Sequence, residues 1–189
     1  MEHCDRVSTP CVADLGCGPK KRPGCLGIDH HPYPGVDVVC DLDETPWPVA
    51  DDSFDRVFAS HVIEHLASIP SFMSEVHRVS RPGCTLELVT PHFSSLDSWK
   101  DPTHRWHLAC DWHETFCRAD VYLAHQVPRF EPVSTEVTFT SSLRNIPARA
   151  LVRLLGRREW EKHYAFRYPA RNSRTVLRRA ARESREESS

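Results

Sequence analysis

Twelve histidines in 189 residues make imidazole the first place to look for chemistry. His92, His104 and His107 share one polar stretch with Asp101. An imidazole changes charge near neutral pH and can serve as a general base. His92 or His104 therefore reads as a base, with Asp101 orienting it. The same residues could instead hold a divalent metal. The bland alternative is structural, since Asp101-Pro102-Thr103-His104 is also a good turn and helix-capping sequence. Upstream, His61-Val62-Ile63-Glu64-His65 has the H-x-x-E-H form of an inverted zinc-protease motif. On a helix His61 and His65 would share one face, as a metal pair needs. A distant third ligand is required and none is evident, so no resident metal is expected. Glu64 and His65 then read as structural or solvent contacts.

Carboxylates form the second set. Val12-Ala13-Asp14-Leu15-Gly16-Cys17-Gly18 is a short apolar run closed by an acid and two glycines. Glycines let the chain turn sharply and approach a ligand closely. The third glycine of a dinucleotide fingerprint is missing, because Pro19-Lys20-Lys21 follow. A carboxylate at that strand end repels a pyrophosphate and suits a cationic ammonium. S-adenosylmethionine (SAM) carries such a group beside its sulfonium. Asp29 closes the next apolar run, where an acid can bond a ribose diol. Cys17 reads as packing rather than as a nucleophile.

Several elements must position these groups. Strands are expected at Cys11 to Leu15, Cys25 to Asp29, Val36 to Cys40, Phe54 to Ser60 and Thr85 to Thr90. Ile69, Phe72, Met73, Val76 and Val79 recur at helical spacing, which predicts an amphipathic helix near Pro70 to Ser80. The links Pro19 to Gly24 and His31 to Gly35 hold no normal crossover helix. A second helix is expected at Asp111 to His125, then a hairpin of Val127 to Val133 and Glu136 to Thr140 turning at Ser134-Thr135. Trp99, Trp106 and Trp112, with Phe93 and Phe116, read either as an aromatic acceptor pocket or as lid core.

Composition narrows the function classes. Apolar residues make up 40% and charged residues 26%, with a net charge of −2. That charge gives no global field for nucleic acid or anionic membrane. No apolar run approaches the ~20 residues of a membrane span, and the N-terminus lacks the apolar core of a signal peptide. Eight cysteines without a C-x-x-C pair read as reduced thiols, so a cytoplasmic location is expected. Arginines near the C-terminus are mixed with Glu183, Glu186 and Glu187, which suggests a solvated face.

Taken in order, these motifs resemble the class I SAM-dependent methyltransferases, in particular the small methyltransferase type 11 kind. The resemblance covers roughly residues 10 to 110. It rests on Asp14-Leu15-Gly16-Cys17-Gly18, Gly27-Ile28-Asp29, and Cys40-Asp41-Leu42 before Pro46-Trp47-Pro48. It rests also on Ser53 to Val57, on His61 to Leu66, and on Glu75 to Gly83. It implies a Rossmann-like α/β sheet of seven strands with the last reversed, here with reduced helices after strands one and two. It implies SAM as cofactor. Asp14, Gly16 and Gly18 would face the methionine part, Asp29 the ribose, Asp41 and Leu42 the adenine, and Ser60 and His61 the methyl end. Cys84 departs from the second glycine usual after Pro82-Gly83.

The expected organisation is a SAM-binding domain over 1–143, an aromatic and basic extension over 144–170, and a mobile charged tail over 171–189. The extension would pack on the domain or on a partner subunit, since one sheet face looks bare; a homo-oligomer is one of the two ways to cover it. The expected activity is methyl transfer to a small-molecule acceptor, with neither nucleic acid nor membrane as partner. Alternatives are a nucleic-acid methyltransferase using the arginine tail, metal-assisted or other chemistry on the same fold, and a non-catalytic SAM-fold protein.

Overall fold

The computed structural model describes residues 11–120 and 128–180. Seven strands form one sheet: β1 (Val12–Leu15), β2 (Leu26–Asp29), β3 (Val38–Val39), β4 (Phe54–Ser60), β5 (Ser80–Pro91), β6 (Phe130–Thr138) and β7 (Asn172–Arg179). Their order is β3-β2-β1-β4-β5-β7-β6. The first five are parallel, while β7 runs antiparallel to both of its neighbours. The expected reversed last strand is present.

Helix α1 (Ile69–Val79) forms where the apolar spacing predicts it. Ser68 caps it by accepting the Ser71 N–H, and Pro70 sits in the first turn, where its missing N–H costs nothing. Its Phe72, Met73, Val76 and Val79 share one core with Ala13, Leu15, Val57, Leu86 and Leu88 of the strands. Each large side chain buried there contributes ~1.5–3 kcal/mol of apolar transfer.

The connection from β1 to β2 holds only a 3-10 turn, Gly18–Lys20. A four-residue strand needs a return path of only about 13 Å, and the run 16–25, even with its 3-10 turn and a second turn closed by the Cys25 N–H on the Arg22 carbonyl, is long enough to cover it. A crossover helix is therefore dispensable. The same run also covers the sheet face that looked bare. The Lys21 stem lies on Gly27, where a Cβ would come within 2.4 Å of it, and its ammonium meets Asp37 at 2.8 Å. The Arg22 guanidinium stacks 4.4 Å from the Phe58 ring centre, with Arg56 at 5.1 Å from the same ring. Long cationic stems bury their methylenes while the heads stay wet.

Three expectations are corrected. The proposed hairpin is a single strand, β6, whose register shifts between Pro132 and Ser134. That bulge leaves Val133 exposed and breaks the alternation, which reads as a turn in sequence. The helix expected at Asp111 to His125 is a 3-10 turn, Trp112–Phe116; Asp111 makes no cap bond and instead pairs with Arg157 and Arg158. Residues 121–127 lie outside the described residues.

The third correction moves the domain boundary. The tail expected over 171–189 supplies β7, an inner strand of the sheet, so the domain does not end at 143. Ser173, Thr175, Leu177 and Arg179 are buried, while Arg174 and Arg178 alternate with them. Arg174 bonds Glu87 at 2.9 and 3.0 Å, and Arg178 lies 3.9 Å from Glu131. Arg179 bonds the Asp52 carboxylate and the Ser80 carbonyl. Basic composition concealed a strand whose charges are met across the ladder. Residues 181–189 lie outside the described residues.

The extension packs on the domain. Helices α3 (Ile146–Leu155) and α4 (Arg157–Tyr164) place Trp160 in a second small core with Ala165 and Ala170, against Phe93, Val137 and Phe139. Helix α2 (Leu96–Lys100) completes the loop after β5.

Candidate active site

The parallel strands end at one edge of the sheet, and a cavity of about 530 Å³ opens there. Gly16, Asp29, Asp41, Leu42 and His61 line it, together with Val62, His65, Leu66 and Thr103. The volume falls within the range of small-molecule sites. Gly16 has φ +61°, and a Cβ there would stand 2.4 Å from Val62 Cγ2. Both the conformation and the space demand glycine.

Asp29 is buried and tightly held. Its Oδ2 accepts the Gly18 N–H at 2.8 Å, and its Oδ1 accepts the His31 N–H at 2.9 Å. A carboxylate has about four acceptor positions, so with His30 Nδ1 also 3.4 Å from Oδ1 there is still room for a ligand's hydroxyl. Asp41 Oδ1 accepts the Asp43 N–H, and Leu42 adds a nearly buried apolar wall.

Asp14, Gly18 and Ser60 do not line this cavity. Asp14 instead accepts the Arg22 N–H at 2.9 Å and faces the Arg22 side chain. Gly18 contributes its N–H to Asp29.

A second cavity of about 270 Å³ shares His61 and His65 with the first. Pro91, Asp97, Lys100, Asp101, His104, Arg171 and Asn172 complete its wall. Hydrogen bonds from Lys100 to Asp97 and from Thr103 to Asp101 hold both carboxyls below the usual range. The wall is thus charged and of mixed sign. His61 stands at the junction with φ +59°, uncommon for a residue with a Cβ.

Of the expected catalytic trio, the structure brings His104 and Asp101 together, with His104 Nε2 4.0 Å from Asp101 Oδ2. It does not bring His92. That ring is fully buried, bonded through Nε2 to Glu161 at 2.9 Å and through Nδ1 to Ser94 at 2.7 Å. Burial pushes the Glu161 carboxyl up, but His92 and the Cys110 N–H outweigh it and hold the group below its ordinary value. His92 therefore ties α4 to the end of β5 and has no face open to an acceptor, which corrects its reading as a base. His107 is likewise occupied, stacked on Trp99 at 3.6 Å and bonded to Ser98.

The aromatic pocket is not assembled either. Trp112 and Phe116 join the main core and Phe93 the second one, and none of the five lines either cavity. Sequence reasoning did not single out Lys100, Arg171 and Asn172. The last two follow from β7, which its composition concealed.

The comparisons bear on this edge. Residues 24–88 match the family model described as a methyltransferase domain. No curated protein matches the chain. Several solved structures are similar to it. A SAM-dependent methyltransferase from Archaeoglobus fulgidus has a TM-score of 0.60 at 14% identity, covering 89% of this chain and 86% of that one. One from Mesorhizobium loti has 0.57 at 16%, covering 93% of each chain. A chain of the complex between the Haloferax volcanii Trm112 methyltransferase activator and a methyltransferase has 0.59 at 17%, covering 90% and 83%. At such identities the likeness carries the fold alone: the seven-stranded sheet described above is shared with these solved structures.

Proposed function

We propose that this protein transfers a methyl group from SAM to a small-molecule acceptor held in the polar cavity. One observation carries the reading: the two cavities meet at His61 and His65. A cofactor in the larger and an acceptor in the smaller then face each other across one wall.

The residues fit the cofactor. Asp29 keeps acceptor positions for ribose hydroxyls, Leu42 beside Asp41 offers an apolar surface for adenine, and Gly16 keeps the backbone clear where the ligand approaches. When bound, SAM supplies an electrophilic methyl on sulfonium. The chain aligns the acceptor with it, which is where most of the rate in such a displacement arises. Lys100 and Arg171 suit an acceptor with an anionic group, and Asp97 and Asp101 suit donors. Asp14, Gly18 and Ser60 support the turn and strand end behind the cavity.

The nucleic-acid alternative is disfavoured. Of the tail's arginines, Arg174, Arg178 and Arg179 are paired with Glu87, Glu131 and Asp52.

Titration calorimetry with SAM and with its demethylated product tests the proposal. The intact chain should bind both. Asp29→Asn, which keeps an acceptor but loses the charge, should weaken SAM about tenfold or more. If the folded protein binds neither compound, the reading is wrong.

A further inference from the structure

We propose that Glu64, His65 and His104 form a binding site for a divalent transition-metal ion of the zinc class, in the wall that joins the two cavities. The ligand atoms of these three residues all lie within 4.8 Å of one another. Ligands around zinc stand about 3.4 Å apart, so closing on an ion needs side-chain movement on the order of 1 Å.

The hydrogen bonds around the cluster already select the metal-binding tautomers. Thr103 has one hydroxyl hydrogen and donates it to Asp101 Oδ1 at 2.7 Å. Its oxygen, 2.9 Å from His65 Nδ1, must therefore accept a proton from that nitrogen. His65 Nε2 is left with a free lone pair. His104 Nδ1 donates to the Ser98 carbonyl at 2.9 Å, which frees its Nε2 in the same way. Partners that fix the far nitrogen of a ligating imidazole are the usual support of metal sites.

Glu64 is the independent sign of a missing cation. It is 1% exposed, yet neither carboxylate oxygen has a hydrogen-bond donor among the described residues. The nearest base is His61, whose Nδ1 lies 3.2 Å from Oε1 without hydrogen-bond geometry. A buried carboxylate left this way is costly, and an ion bonded to it removes the cost.

The backbone holds the arrangement. The N–H groups of Arg105 and Trp106 donate to the Glu64 carbonyl at 2.7 and 3.3 Å. The Trp106 indole donates to the Leu66 carbonyl at 2.7 Å. Two segments distant in sequence are thus clamped before any ion arrives. Two imidazoles and one carboxylate suit zinc and its first-row neighbours over magnesium or calcium. His65 lines both cavities and His104 the smaller one, so the unfilled positions open toward the acceptor. An acceptor with a hydroxyl or carboxylate oxygen would complete the shell. Only this placement rests on the methyl-transfer reading.

The test uses the full chain, stripped by a chelator and titrated with zinc against a chromophoric competitor. One equivalent should bind. Glu64→Gln and His104→Ala should each weaken it at least about 100-fold, and Thr103→Val, which touches no metal, by about 10- to 100-fold. Cobalt(II) in place of zinc should show no thiolate charge-transfer band, which separates this site from the cysteines and from His92, Cys110 and Glu161. Glu64→Gln should also gain no thermal stability from zinc, whereas the parent should. Absence of binding, or binding kept in both ligand variants, overturns the proposal. SAM calorimetry on the same samples separates the two readings: retained SAM binding without zinc binding sinks only the metal site.

Discussion

At the scale of single residues, the glycines of the first turn separate two costs. Gly16 and Gly18 have φ +61° and +57°, both left-handed. A Cβ on Gly16 meets Val62 at 2.4 Å, whereas one on Gly18 meets nothing within 4 Å. Gly18→Ala should therefore lose only the conformational term, ~1–2 kcal/mol. Gly16→Ala should lose that and an overpacking term of ~1–3 kcal/mol more. Urea denaturation of the two variants measures the gap, and equal losses would mean that Val62 yields freely. The strand-end acids at 14, 29 and 41 were legible because the turn that carries each is local. Their aim was not. Asp29 reaches the cavity, while Asp14 is turned onto Arg22. His92 shows the same limit: its place after a strand is visible in sequence, but the partner that buries it, Glu161, is 69 residues away.

At the scale of elements, a charged network stands where a crossover helix would lie between β3 and β4. Glu75 on α1 accepts the Trp47 N–H at 2.7 Å and is bonded by Arg78 at 2.7 and 2.8 Å. Arg78 also reaches the carbonyls of Val49 and Trp47. The loop is thereby stitched to the helix, with Trp47 packed on Phe72. The Arg78 hydrogen bonds outweigh burial and hold the Glu75 carboxyl below its ordinary value of 4.5. A carboxyl lowered on folding stabilises the protein above the unfolded pKa, and the gain is lost as pH falls through the folded one. Thermal melts of the parent should thus lose stability as the pH drops below about 4.5, where unfolded Glu75 protonates. Glu75→Gln should melt lower at neutral pH and show a shallower acid decline. An acid decline unchanged in the variant would assign it to other carboxylates. The helix-poor connections were legible from Pro19, Pro23, Pro32 and Pro34. What replaces the helices was not, since Arg78 and Lys21 look like ordinary surface charges in sequence.

At the scale of the molecule, the order of the sheet makes the last described strand an inner one. Strand β7 lies between β5 and β6, so it carries hydrogen bonds on both sides. It also delivers Arg171 and Asn172 to the smaller cavity, and Leu177 to the main core without exposure. Sequence could not reveal this, because the pairing joins Arg174 to Glu87 across 87 residues and each arginine reads as solvated until its partner is known. The fold class was legible from short-range motifs over the first hundred residues; closure of the sheet was not. The consequence is sharp. Leu177→Ala should cost about 2–5 kcal/mol, the price of a cavity in a packed core. A chain ended at residue 170 should lose far more, because among the described residues β7 is the one strand paired with β6 and one of two paired with β5. It should show no cooperative thermal transition and no SAM binding, while the full chain shows both. If the shortened chain still unfolds cooperatively, β7 is an appendage to a domain that closes without it. The boundary near residue 143 would then be restored, and Arg171 would drop out of the acceptor wall.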